Sequence, residues 1–208
     1  MFNKLFKVLS PQGNMHKEYF RYMKWSFATN MFASVEYAMS THCMLSAISN
    51  TSELSMTANF IGKDAIGQLG SLFYIGKITN TIDTNTKSIV RNSMIAQQLS
   101  MGSLCITPFV PLSMFLPLAA AGNIFTNVSF ACIGAVNAKV IRKLSIDDDM
   151  GEIYGKLTIV NTLGSTVGTG IGLICVAAIP DHSTRMCLLP FIAVLRVYSY
   201  YKTIDGLI

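Results

Sequence analysis

From Asn92 to Ala138 the chain reads NSMIAQQLSMGSLCITPFVPLSMFLPLAAAGNIFTNVSFACIGAVNA, 47 residues without a single charge. A membrane-crossing helix needs about 20 mostly apolar residues, so this run has room for two. The prolines Pro108, Pro111 and Pro117 in TPFVPLSMFLP set a helix-to-helix turn between them. A second charge-free run of 24 residues extends from Leu157 to Pro180. Over all 208 residues only 13% are charged and 51% are hydrophobic, with a mean hydropathy of +0.44. A soluble domain carries about 25% charged residues, and this chain has too few to coat a water-facing surface. The reading is an all-α, polytopic helical membrane protein.

Working outward, charge gaps divide the chain into six spans: Ser26 to Ser49, Met56 to Gly76, Asn92 to Thr107, Leu112 to Ala138, Leu157 to Ile179 and Met186 to Tyr200. Each is expected to be helical, because lipid tolerates no unpaired backbone. The loops test the count. With alternating spans, 14 of the 16 basic residues fall on the face that holds both termini. Arg185 stands alone on the other face, and Lys63 lies inside the second span. This is the bias of the positive-inside rule. The domain plan is a basic amphipathic segment over 1–25, a helical membrane domain over 26–202 and a tail over 203–208. The leader, MFNKLFKVLSPQG, reads either as a mitochondrial-type address or as a helix lying on the membrane surface.

Three groups of residues are candidates for a role. NTLGSTVGTGIGL sets Gly164, Gly168 and Gly172 on one helical stripe, where small residues let another backbone approach. Their spacing does not suit a dinucleotide loop. Lys139, Arg142 and Lys143 suit an anionic lipid such as cardiolipin. Lys63 and Asp64, in IGKDAIG, lie inside a span, where each charge costs about 2.5–3.5 kcal/mol and so needs a partner. Helical neighbours point about 100° apart, so each is expected to pair elsewhere. Glu36 is expected for Lys63, and His42 or Gln97/Gln98 for Asp64. A register-fixing polar clasp of Glu36, Lys63 and Asp64 is favoured over a proton or substrate path.

IGKDAIG lacks the Ser or Thr of a phosphate-binding loop. The acids of IDDDMGE lack the alternating ligand pattern of a calcium site. Five scattered cysteines read as buried apolar side chains. No nucleophile–base pair or metal cluster stands out, so no enzyme, cofactor, metal or nucleic-acid partner is expected. Neither a repeat between halves nor the broken-helix pair of transporters is visible.

GKDAIGQLG (Gly62 to Gly70), IDTNTK (Ile82 to Lys87), AAGNIFTNVSFACIGAVNAKV (Ala120 to Val140) and DDDMGEIYGKLTIVNTLG (Asp147 to Gly164) follow one another as blocks. In order and approximate spacing they resemble the root UV-B sensitive, or vitamin B6 photosensitivity, family. The resemblance covers about Trp25 to Leu173. It implies a membrane-associated protein linked to UV-B responses and vitamin B6 homeostasis, with no catalytic residues to carry over. Typical members extend further at the C-terminal end, so the expectation here is the family's membrane core. The leading functional expectation is a non-catalytic accessory subunit of a large membrane complex. It would sit in the mitochondrial inner membrane, in a respiratory complex or ATP synthase, with its basic loops on the matrix side. A small transporter or channel working through Glu36, Lys63 and Asp64 is the alternative.

Overall fold

A computed structural model describes residues 16–78, 81, 84–146 and 150–208. The basic leader up to residue 15 and the acids at 147–149 lie outside the described residues. Six long helices account for most of the rest: α1 (Tyr19–Ile48), α2 (Glu53–Ile78), α3 (Thr86–Ile106), α4 (Phe115–Leu144), α5 (Met150–Ala178) and α6 (His182–Ile204). Two 3-10 turns, Thr107–Phe109 and Leu112–Met114, fill the proline-marked connection. Each helix begins several residues before its apolar run, or outlasts it. Helices α1 and α6 run through the expected domain boundaries at 25 and 202.

The membrane expectation narrows. Among the described residues, only α4 with its preceding turn (Leu112–Leu144) and α5 (Met150–Ala178) are long and apolar enough to cross a membrane, with mean hydropathies of 1.5 and 1.6. Only 22% of the most apolar window of α5 is buried within the chain, so most of that greasy surface faces outward. The other four helices carry too many polar residues to qualify by composition.

Contacts between helix ends give the direction of each. Arg21, near the start of α1, reaches Asp205 beyond α6 at 3.6 Å. Lys143, at the end of α4, donates to the Leu207 carbonyl at 3.2 Å, and Lys139 donates to Thr86 at the start of α3 at 3.1 Å. At the opposite end Ile48 of α1, Leu104 of α3 and Phe115 of α4 share a buried cluster. So α1 and α4 run in opposite directions, and the basic helix ends gather at one end of the body.

The helices also form two matching triplets. Helices α1, α2 and α3 have 30, 26 and 21 residues, against 30, 29 and 23 for α4, α5 and α6. Helix α5 lies along α1, as α2 lies along α4; α6 packs on α1, as α3 packs on α4. Since α1 and α4 are antiparallel, this is an inverted repeat of three helices. It is absent from the sequence pattern because packing partners, not residue types, are what repeat. The symmetry fails at one seam. Helix α1 packs on α3, but its counterpart contact between α4 and α6 is far weaker.

Candidate functional site: a polar cleft between the two triplets

The seams that α4 makes with α5 and α6 are slight, and a cleft opens there, floored by α1. Its main chamber, about 420 Å³, is lined from all six helices. Asn30, Ser34, Tyr37 and Thr41 come from α1, Lys63 and Asp64 from α2, and Asn123, Thr126 and Asn127 from α4. Met101 and Leu104 come from α3, and Ser165 and Arg196 add one side chain each from α5 and α6. A smaller chamber of about 220 Å³ lies beside it and shares Asn30, Ala33, Phe130 and Arg196. Along α5 a polar stripe through Thr158, Asn161, Thr162, Ser165 and Thr169 lines a further groove joined to the main chamber at Ser165. Ser26 on α1 donates to Asn161 at 2.6 Å across the floor.

Lys63 and Asp64 pair with each other. The Lys63 Nζ lies 2.6 Å from Asp64 Oδ1 and 4.2 Å from the centre of the Phe60 ring. The expectation of separate partners fails because a four-carbon stem can curl back along its own helix even when the Cβ vectors diverge. Asn123 closes the arrangement, donating to Asp64 Oδ1 at 2.9 Å and to the Lys63 carbonyl at 3.2 Å. So α2 is tied to α4 by a charge-assisted network at the cleft wall.

Glu36, fully buried on α1, has Arg196 of α6 as its partner, with Arg196 Nη1 2.5 Å from Glu36 Oε2. Arg196 Nη2 donates to Gln97 Oε1, and Gln98 Nε2 donates weakly to Glu36 at 3.5 Å. Charge counting had placed Arg196 among the loop cations of the basic face. It is instead 95% buried in the body, exposed by only 5%. Arg185, expected on the opposite face, is buried as well, bonding His42 Nδ1 and the Pro180 carbonyl at 2.5 Å each. Missing from the sequence reading, too, were Asn123 and Asn127. Two amides at i and i+4 within an uncharged span share one helix face, and that spacing was the available signal.

The glycine stripe is used inside the chain. A Cβ on Gly164 would sit 2.6 Å from the Phe27 carbonyl oxygen, one on Gly168 would collide with the Met31 carbonyl, and one on Gly172 would sit 2.7 Å from the Ala38 Cβ. The backbones of α5 and α1 therefore touch along this seam. The three cations assigned to lipid are all exposed; Lys139 also donates to Thr86 and Lys143 to the Leu207 carbonyl. All five cysteines are free. Among the described residues no three potential metal ligands converge.

Comparison with known proteins fits the family blocks quoted above. The family model for the vitamin B6 photo-protection and homoeostasis domain matches residues 1–207. The chain is 28% identical to protein root UVB sensitive 4 of Arabidopsis thaliana over 191 residues, 90% of this chain and 36% of that protein. It is 22% identical to protein root UVB sensitive 6 of the same plant, covering 92% of this chain and 39% of the relative. RUS family member 1 of Dictyostelium discoideum is 20% identical over 99% of this chain and 41% of its own length. The chain thus spans about two-fifths of the length of these relatives. No solved structure matches. With four sequence blocks in order and a family model matching almost every residue, the chain belongs to the root UV-B sensitive family.

Proposed function

We propose that the chain is a six-span helical membrane unit that binds a small polar solute in the cleft between its inverted triplets and carries it across the bilayer. The observation that carries this reading is the chamber of about 420 Å³ lined from all six helices, five of which contribute amides, hydroxyls or charged groups. Its size lies within the range of small-ligand sites. Inverted repeats with a polar site at their interface are the architecture of secondary transporters, in which one repeat rocks against the other. Ionisable residues inside a bilayer are costly and are kept at such paths. In this reading all six helices cross the membrane, and both termini lie with the basic helix ends on the positive-inside face. Because the matched domain is described by vitamin B6 homoeostasis, B6 vitamers, which are hydroxylated pyridines, are the first solutes to try.

The accessory-subunit reading, with its mitochondrial inner membrane, respiratory complex or ATP synthase, draws no support from the relatives. Its glycine stripe is occupied by α1 of the same chain. What favours it is the outer face of α2, where Leu69, Leu72 and Phe73 are exposed by 62%, 65% and 81%, a surface for lipid or a neighbouring helix.

Uptake of radiolabelled pyridoxine and 4-pyridoxate into vesicles containing the purified chain tests the carrier reading. Saturable uptake that is abolished by Ser165→Trp, which fills the chamber, supports it. Uptake no faster than in protein-free vesicles for both solutes overturns it.

A further inference from the structure

We propose that Arg196 is the solute-binding cation of the cleft and takes a small organic monoanion, a carboxylate or a singly ionised phosphate monoester, while Glu36 takes up one proton as the anion displaces it. This rests on the cleft being a solute site and names the solute's charge and its coupling ion.

Arg196 is the residue of α6 that lines both chambers, so its side chain borders the open space. Its partner Glu36 is fully buried and borders neither chamber. The pair is incompletely satisfied, with Glu36 Oε1 and Arg196 Nε both buried without a hydrogen-bond partner. The cation can therefore exchange a buried carboxylate for a solute anion by a short side-chain movement into the chamber. The charge balance then sets the rest. An unpaired carboxylate buried in a low-dielectric interior is strongly disfavoured, and among the described residues no second cation faces Glu36. Its neighbours from α3 are the neutral Gln97 and Gln98, and α4 and α5 carry no charge between Phe115 and Ala138 or between Leu157 and Ala178. Lys63, on the α2 wall, is held by Asp64. Arg185 and the titratable His42, further along α1, are engaged with each other. Glu36 therefore becomes neutral by accepting a proton from water. Arg196 remains charged, its new counter-ion is the solute, and the total buried charge is unchanged by the uptake of one anion and one proton.

The test is titration calorimetry of the full chain in lipid nanodiscs, using 4-pyridoxate and its neutral counterpart pyridoxine as probes. Runs in two buffers of different ionisation heat count the protons bound. Expected are a preference of at least tenfold for 4-pyridoxate, uptake of one proton per anion, and a tenfold loss of affinity per pH unit as pH rises. In Glu36→Gln the affinity becomes independent of pH and the proton uptake vanishes. Anion binding by the unmodified chain without proton uptake would overturn the coupling and leave Glu36–Arg196 as a fixed clasp. Pyridoxine binding as tightly as 4-pyridoxate would overturn the anion site while sparing the cleft. Binding of neither probe would overturn the cleft reading and this one with it.

Discussion

Each inverted triplet lays a glycine-bearing middle helix along the first helix of the other, yet the two seams differ in what the glycines meet. On the α5–α1 seam, Cβ atoms added at Gly164 and Gly168 would strike the backbone carbonyls of Phe27 and Met31. On the α2–α4 seam, a Cβ atom at Gly70 would strike the far end of the Ile124 side chain, and one at Gly67 would strike both the amide and the Cβ of Asn123. Backbone cannot move aside; a side chain can change rotamer. The first seam is therefore rigid at Gly164 and Gly168, and the second is adaptable at Gly70; the second also carries Lys63 and Asp64.

The largest expected effect lies beside these seams, at the ion pair between α1 and α6. Arg196→Met leaves Glu36 buried without a counter-ion, and is expected to cost about 3–5 kcal/mol. The double variant that also replaces Glu36 with Leu should recover most of that loss. Reversible unfolding in detergent reads both, and equal losses in single and double variants would show that the pair is not coupled. Next comes Gly168→Ala, expected to destabilise by about 1–3 kcal/mol through overpacking. Its counterpart Gly70→Ala should lose less than about 1 kcal/mol, because Ile124 can turn away. If the two glycine variants melt together, the distinction between rigid and adaptable seams is wrong.

Lys63→Met should change stability by about 1 kcal/mol or less, because Asp64 keeps its bond to Asn123 and its side chain is 41% exposed. The smallest effect lies at the matching N-caps of α6 and α3. Asp181 accepts from both the hydroxyl and the amide of Thr184 at 2.7 Å, whereas Asn85 makes no such side-chain bond. Those Thr184 bonds hold the Asp181 carboxyl below its usual 3.8. The cap is therefore present above that value and is lost as pH falls through the depressed one. Amide exchange at Thr184 should accelerate on acidification below pH 3.8, while the first turn of α3 stays indifferent.

Much of this body was legible in the residues alone. The uncharged run from Asn92 to Ala138 announced two helices, the prolines from Pro108 to Pro117 marked the turn between them, and the quoted blocks carried the family. Glu36, Lys63 and Asp64 stood out because charge is conspicuous in an apolar stretch. Their partners did not, since Arg196 looks like one more cation near a helix end until α6 is laid against α1. The same limit hid Asn123 as the link between Lys63 and α4.

The amino-acid sequence by itself determined that the chain is helical, that its basic residues gather at alternate helix ends and that it holds charge-free runs long enough to cross a membrane. Those properties are local sums over hydropathy and charge. Only the tertiary structure decided that Glu36 belongs to Arg196, that the Gly164 stripe serves α1 of the same chain, and that two triplets in opposite orientation leave a polar cleft between them. Those are properties of contacts between residues far apart in the chain, and no local sum contains them.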